Sequence, residues 1–196
     1  MAGNAFAQSV ETIKILVPWS ENQNTVKVTI INKAGLSDDK ISVIKNAIES
    51  DVSFVENDQI YFAGWTGALH TLDSAKAKRF DVTVSEKARG ADIIIELLKE
   101  KDPRYNGYTI PYYVGNHIIS ASIQIFESQT ISSVQLENLM RHEFGHALGL
   151  GHTTEPGCIM YETISSNLKF IGSCELAGLK ALEDGLYFRS VDSSLA

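Results

Sequence analysis

The sequence of 196 residues contains only two cysteines, and no C-x-x-C pair occurs in it. A structural zinc site, which needs four protein ligands, is therefore not expected at the cysteines. Basic residues are outnumbered, and the net charge of -7 disfavours non-specific binding to nucleic acid or anionic lipid. No apolar run approaches the roughly 18–20 residues that a membrane span needs, and no repeat is present. With 44% hydrophobic residues, the composition predicts one globular domain that is large enough for a proper core.

The clearest chemical signal in the sequence is a histidine-containing motif over residues 142–152. It reads H-E-x-x-H-x-x-G-x-x-H, with His142, Glu143, His146, Gly149 and His152 at the defined positions. One helical turn separates the first two histidines, so both imidazoles leave the same face about 5–6 Å apart at Cβ, and one zinc ion can bind both rings. Gly149 permits a positive φ where the helix must end, which brings the third histidine back as a ligand. Three protein ligands leave a fourth position open, as in catalytic zinc sites, and the glutamate lies beside a water bound there.

The motif is too specific to be a chance alignment of histidines on the polar face of an amphipathic helix. At average residue frequencies, the full pattern arises by accident in roughly one in 10⁵ chains of this length. The remaining histidines, His70 and His117, have no acid or cysteine at ligand spacing. We expect these two to be surface or loop residues rather than ligands of a second metal.

The motif resembles that of the metzincins, a clan of zinc endopeptidases. Residues 157–161 read G-C-I-M-Y and place Met160 eight residues after His152. The clan has the methionine of its Met-turn at this distance, where it forms an apolar floor beneath the zinc ligands. The Met-Tyr pair is most similar to the matrixin branch. Astacins and serralysins place a tyrosine ligand two residues past the methionine, and Glu162 stands there in this chain, so a fifth ligand is not implied.

The resemblance implies a zinc-dependent endopeptidase that hydrolyses extended protein or peptide substrates. One catalytic Zn²⁺ is expected on His142, His146 and His152, with Glu143 as general base and then general acid. Two alternatives remain open, namely a metzincin-fold module with a narrow self-processing or binding role, and a zinc hydrolase of non-peptide amides. The intact glutamate argues against the first alternative. Residues 162–164 (E-T-I) differ from the Pro-x-Tyr wall of vertebrate-type matrixins, which leaves the substrate preference open.

The fold that the elements and the resemblance predict is α/β, of the α+β zincin type. We expect a twisted, mostly parallel sheet with one antiparallel edge strand, a backing helix, an active-site helix, and a small C-terminal subdomain with a terminal helix. Residues 1–11 are assigned to an N-terminal extension and residues 12–196 to a single catalytic domain. This domain is divided into an upper part over residues 12–151 and a lower part over residues 152–196.

Hydrophobic patterns give the approximate places of the elements. β-Branched and apolar runs predict strands at residues 12–17, 26–31, 80–84, 91–96 and 118–126. Serines suited to capping predict helix starts at Ser37, at Ser132 or Ser133, and at Ser173. Residues 62–67 (F-A-G-W-T-G) are predicted to be a loop with aromatic side chains that hold it to the protein.

One further strand is predicted at the rim of the cleft. Residues 108–112 are extended but include Pro111, and proline confines a strand to the edge of a sheet or to a bulge. The open N–H and C=O groups of an edge strand can pair with the backbone of an extended substrate. Tyr108, Thr109 and Ile110 are therefore the predicted substrate-binding residues.

The cysteines and the amino terminus indicate in which cellular compartment the protein acts. Cys158 and Cys174 would pair in a secreted protein and stay reduced in a cytosolic one. Residues 5–7 (A-F-A) resemble the end of a signal peptide, although three common residues could also occur together by chance. We expect a secreted or extracellular monomer. The matrixin branch binds calcium through an Asp- and His-rich loop, and residues 102–117 are too short and too poor in Asp and His to predict that loop, so structural calcium stays open.

Overall fold

The computed structural model describes residues 12–19, 25–72, 78–186 and 190–192. The predicted N-terminal extension over residues 1–11 lies outside the described residues. In chain order the elements are β1 (Thr12–Ile15), β2 (Thr25–Asn32), α1 (Asp38–Glu49), β3 (Ser53–Glu56), β4 (Gln59–Phe62), α2 (Trp65–Leu72), β5 (Arg79–Val84), β6 (Ile93–Leu97), β7 (Gly107–Val114), β8 (His117–Ile125), α3 (Ser133–Ala147), β9 (Leu150–Thr153), α4 (Ser173–Glu183) and β10 (Ser190–Asp192). Among the helices described, none has the length and apolar character that crossing a membrane requires.

A five-stranded sheet forms the centre of the upper part, in the order β5-β2-β6-β8-β7. The first four strands are parallel to their neighbours, and β7 runs antiparallel to β8 at the edge. In β2, Val26, Val28 and Ile30 are fully buried on one face, whereas Thr25 and Lys27 on the other face are exposed and Thr29 is buried. The predicted fold class, a mostly parallel sheet with one antiparallel edge strand, is confirmed.

Two helices, α1 and α3, pack against each other and against this sheet. Helix α1 buries Ile41, Ile44, Ala47 and Ile48 at helical spacing, as the backing helix was predicted to do. Helix α3 contacts β7 and β8. One side of α3 therefore lies next to the edge strand β7. Residues of both elements line an open groove.

The lower part is built around a second, three-stranded sheet with the order β10-β1-β9. Strand β1 pairs antiparallel with both β9 and β10, and α4 packs against β1, β9 and β10. The start of the described chain therefore joins the strands that follow α3. The predicted boundary at residue 151 falls within β9, and β1 pairs with β9 although it belongs to the predicted upper part.

The prediction of a loop over residues 62–67 is wrong at both ends, because Phe62 is the last residue of β4 and helix α2 begins at Trp65. The two glycines in this segment permit close contact with the end of α1. A Cβ on Gly64 would lie 2.7 Å from the Ser50 backbone nitrogen, and one on Gly67 would lie 3.1 Å from the Asp51 carbonyl oxygen. The Trp65 side chain is fully buried, and its indole N–H donates to the Arg141 carbonyl oxygen at 3.0 Å. Tertiary packing rather than local propensity thus makes this segment helical.

Candidate active site

Helix α3 carries the first two histidines of the motif. Ser132 caps its start, and the side-chain oxygen accepts a hydrogen bond from the Gln135 backbone N–H at 3.3 Å. His142 and His146 lie one turn apart, with 3.1 Å between their Nε2 atoms. The local geometry of a helix is enough to bring these two rings together.

The third histidine reaches the same point because the chain turns sharply after α3. Gly149 has a φ of 100°, a backbone conformation that favours glycine, and a Cβ there would overlap the Val17 carbonyl oxygen. Strand β9 then places Nε2 of His152 3.2 Å from Nε2 of His146. In a tetrahedral site with zinc–nitrogen bonds of about 2.0–2.1 Å, neighbouring nitrogens lie about 3.3–3.4 Å apart. The spacing of the three rings therefore fits ligands that share one ion.

Backbone carbonyls orient the two helical rings. Nδ1 of His142 donates to the Ile159 carbonyl oxygen, and Nδ1 of His146 donates to the Leu150 carbonyl oxygen, both at 2.8 Å. Because a carbonyl only accepts, the proton is on Nδ1 and the lone pair is on Nε2. Burial lowers the pKa of His142 to about 4 and the pKa of His146 to about 3, so both rings are neutral at pH 7. Converging lone pairs on neutral rings are the donor set that a divalent metal ion needs, and this group could hold one.

Glu143 lies beside the histidine group and contacts the edge strand. Its side chain is 5% exposed, and the Thr109 hydroxyl on β7 donates to Glu143 Oε2 at 2.6 Å. Burial raises the pKa of Glu143 to about 7, and the hydrogen bond from Thr109 opposes that rise. Gly107 leaves the room that the carboxylate occupies, since a Cβ there would lie 2.5 Å from Glu143 Oε1. The start of β7 thus provides both the hydrogen-bond donor and the space that the Glu143 side chain requires.

A tight turn over residues 158–161 packs against α3 from below. The Tyr161 N–H donates to the Cys158 carbonyl oxygen at 3.4 Å, which closes the turn. Met160 is fully buried, and a Cβ on Gly145 would overlap its sulfur. The methionine therefore contacts α3 at Gly145, the residue before His146. Only the absence of a side chain at Gly145 allows this contact.

Helix α4 holds the turn in two ways. Cys158 and Cys174 form a disulfide, so the pairing that a secreted protein would have is present in the structure. Glu175, which is fully buried, accepts hydrogen bonds from the Met160 N–H at 3.2 Å and from the Gly172 N–H at 3.0 Å. Burial raises the pKa of Glu175 to about 6, although the hydrogen bonds lower it. Glu175 was not predicted from the sequence; its place directly after Cys174 was the available signal.

A cleft of about 660 Å³ runs past the histidines and Glu143. Strand β7 and the loop before it line one side, and residues 162–164 also line the cleft. Of the three residues predicted to bind substrate, Tyr108 and Thr109 belong to the lining, whereas the exposed Ile110 side chain does not. Leu139 also lines the cleft, because it lies three residues before His142 on the same helix.

The remaining histidines are in other elements. His70 is in the last turn of α2 and His117 begins β8. Among the described residues, the other group of possible ligands is Cys158, Cys174 and Glu175. Its two sulfurs are bonded to each other, so it does not offer two thiolates to a metal.

Comparisons with known proteins agree with this site. The model of the matrixin family matches residues 19–176, a range that covers most of the chain and all the residues of the motif. The chain therefore belongs to the matrixin family. Metalloendoproteinase 2-MMP from Arabidopsis thaliana is 43% identical over 51 residues, which are 26% of this chain and 13% of that protein. The chain thus matches only a small part of the length of this relative. Matrixins use zinc, and the three-histidine group is a place where this chain could hold it.

Proposed function

We propose that this protein is a zinc-dependent endopeptidase that cleaves extended protein or peptide substrates. One observation carries the proposal: three imidazoles converge, with Nε2 separations of 3.1 and 3.2 Å, beside Glu143 in a cleft that the edge strand β7 lines. Membership of a metallopeptidase family supports the same conclusion.

Substrate binding follows from the position of β7 at the edge of the sheet. Among the described strands, β7 pairs with β8 alone, so its second edge is open to another extended chain. An added peptide strand would be held by main-chain hydrogen bonds, which do not depend on its sequence. Its scissile carbonyl would lie near Thr109, the strand residue that contacts Glu143. This arrangement supports a substrate with an extended backbone rather than a small amide.

The proposed chemistry is hydrolysis with Glu143 as the group that moves the proton. A Zn²⁺ ion held by His142, His146 and His152 would polarise the scissile carbonyl and lower the pKa of water to about 7. Glu143 accepts a proton from the attacking water as the new C–O bond forms. It then donates this proton to the departing amine nitrogen as the C–N bond breaks. A carboxyl pKa of about 7 suits both transfers near neutral pH.

We further propose that the protein acts outside the cell. The disulfide between Cys158 and Cys174 supports this, because disulfides persist in oxidising compartments. The alternative of a binding or self-processing module with little general proteolysis is not favoured, since Glu143 is intact and buried in hydrogen-bond contact with β7.

A digest of a peptide library with mass-spectrometric readout tests the proposal. We expect cleavage at internal peptide bonds, loss of cleavage with a chelator, and recovery when zinc is added. Glu143→Ala should abolish cleavage, whereas Glu86→Ala, which removes an exposed carboxylate that does not line the cleft, is the control and should leave cleavage unchanged. If Glu143→Ala retains near-normal peptidase activity, or if the wild-type protein cleaves no peptide with zinc bound, the proposed function is wrong.

A further inference from the structure

The part of the cleft lining that comes from residues 162–164 belongs to a longer irregular segment, residues 162–170, which we name the wall segment. It contains no helix or strand, and Glu162, Thr163 and Ile164 at its start line the cleft. At its far end the chain pairs with β4, through hydrogen bonds of 2.9 and 3.1 Å between the backbones of Phe62 and Ile171. Between these two ends, the backbone polar groups have no helix or strand partners and need hydrogen bonds from elsewhere.

Asn138 on α3 is the first side chain that supplies such hydrogen bonds. It is fully buried, and both polar atoms of its side chain contact the wall segment. Its Nδ2 donates to the Ser165 carbonyl oxygen at 3.1 Å and to the Asn167 carbonyl oxygen at 2.6 Å. Its Oδ1 accepts a hydrogen bond from the Lys169 N–H at 2.9 Å. One side chain therefore fixes three backbone groups of the segment.

Arg141, one turn further along α3, is the second. It is also fully buried, and its Nη1 donates to the Lys169 carbonyl oxygen at 2.9 Å. The Phe170 ring lies against its guanidinium carbon, with 5.2 Å to the ring centroid. Nε donates to the Ala63 carbonyl oxygen at 2.8 Å, and Glu137 supplies the opposite charge at 2.5 Å. The guanidinium thus connects the wall segment to the chain before α2.

Neither residue is what the stability of a buried helix alone would favour. Asparagine is a weak helix former, and a buried guanidinium must be compensated by its partners. A leucine or an alanine would serve packing alone at either position. The same stretch of α3 presents Leu139 and His142 to the cleft. Helix α3 therefore determines where the wall segment lies relative to the metal-binding group.

We infer that Asn138 and Arg141 are positioning residues that determine substrate specificity, because they fix the wall segment relative to the histidines and Glu143. The inference rests on the proposed peptidase function. It makes no demand on the chemistry of cleavage, which stays with Glu143. Discrimination between substrate side chains depends on these buried polar contacts, whose side chains do not line the cleft.

Asn138→Asp tests the inference, with Asn32→Asp as the matched control. The aspartate at 138 keeps the acceptor for Lys169 but loses both donated hydrogen bonds. Asn32 holds a distant loop in the same manner, with Nδ2 donating to the Leu36 carbonyl oxygen at 2.9 Å and Oδ1 accepting from the Leu36 N–H at 2.8 Å. The readout is a ratio of kcat/KM values, for the best-cleaved library peptide against the same peptide with its most selective side chain replaced by alanine.

We expect this ratio to fall about tenfold in Asn138→Asp, since a shift of about 1 Å in a substrate-positioning group changes rates by up to about 100-fold. The ratio should be unchanged in Asn32→Asp, and the zinc content should be unchanged in both variants. An unchanged ratio in a folded Asn138→Asp protein overturns the inference while leaving the peptidase proposal intact. A wild-type protein without any cleavage contradicts the peptidase proposal instead.

A measurement on the wild-type protein covers the case in which Asn138→Asp does not fold. The Lys169 amide lies in irregular chain, and its hydrogen-bond acceptor is Asn138 Oδ1. If the contact holds the segment, NMR-detected hydrogen exchange at this amide should be slower than in unstructured chain by at least about 100-fold. Exchange at the rate of unstructured chain overturns the inference, whether or not the protein is loaded with metal.

Discussion

Thr109→Val is the change that most directly tests how the edge strand prepares Glu143. The Thr109 hydroxyl lies 2.6 Å from Glu143 Oε2 and 3.0 Å from the Glu143 carbonyl oxygen. The first contact is a short hydrogen bond to a carboxylate that is 5% exposed. Valine has nearly the shape of threonine, so the substitution removes the hydroxyl and leaves the strand in place.

The expected loss follows from the strength of that hydrogen bond. A hydrogen bond to a charged group contributes about 1.5–3 kcal/mol, and about 1.4 kcal/mol corresponds to a tenfold change in rate. Since little water can replace the lost donor at so buried a carboxylate, we expect kcat/KM to fall about 10- to 100-fold. The assay is steady-state cleavage of a quenched fluorescent peptide chosen from the library, with the zinc content measured in the same samples.

Two variants make the result interpretable. Thr109→Ser keeps the hydroxyl and should retain most of the activity. Thr130→Val removes a hydroxyl that bonds only the Glu127 carbonyl oxygen in an exposed turn, and it should leave the rate unchanged. A Thr109→Val protein that binds zinc and cleaves at the wild-type rate would refute the reasoning that β7 positions the glutamate.

Three further predictions concern the neighbouring structure. Gly107→Ala should displace the Glu143 carboxylate, because the new Cβ would lie 2.5 Å from Oε1, and we expect kcat to fall at least about tenfold with little change in zinc content. Replacing Cys158 and Cys174 together by serine should lower the free energy of unfolding by about 3 kcal/mol, the value for a closed loop of about 15 residues, as measured by urea denaturation. For Glu175, burial raises the folded-state pKa from 4.5 to about 6, so the stability that its protonated form contributes is present below pH 4.5 and is lost as the pH rises through 6. The free energy of unfolding of the wild type relative to Glu175→Gln should therefore be about 2 kcal/mol higher at pH 4.5 than at pH 7.5.

Each of these outcomes can fail in a distinct way. Wild-type kinetics in Gly107→Ala would mean that the carboxylate has room to move without consequence. Equal stability of the double-serine variant would mean that the bridge does not constrain the unfolded chain. A stability difference between the wild type and Glu175→Gln that does not change with pH, measured in chelator so that metal binding does not contribute, would show that the carboxyl titrates as it does in the unfolded chain.

The parts of the site that sequence could predict are those that local geometry determines. Helical spacing alone brings His142 and His146 together, and the positive φ of Gly149 belongs to the residue where the motif requires a helix end. The edge position of β7 followed from Pro111, which cannot donate a ladder hydrogen bond. In each case one residue type carries a constraint that holds whatever surrounds it.

What the sequence did not reveal depends on contacts between distant segments. The helix at Trp65 forms because glycines let it approach the end of α1, which no local propensity indicates. The hairpin of β3 and β4 was missed as well, although Asn57 and Asp58 at its turn both have positive φ, a conformation that these residue types tolerate. Asn138 looked like an ordinary polar helix residue, and only the folded chain shows its partners 27 to 31 residues away.

The central claim is that three histidines hold one zinc ion next to Glu143. Elemental analysis combined with X-ray absorption spectroscopy on protein purified without chelator tests it directly. We predict one zinc per chain, with three nitrogen neighbours at about 2.0–2.1 Å, full retention of the metal in Glu143→Ala, and its loss in His146→Ala. A wild-type protein without a transition metal, or one whose metal is unaffected by His146→Ala, would contradict the account.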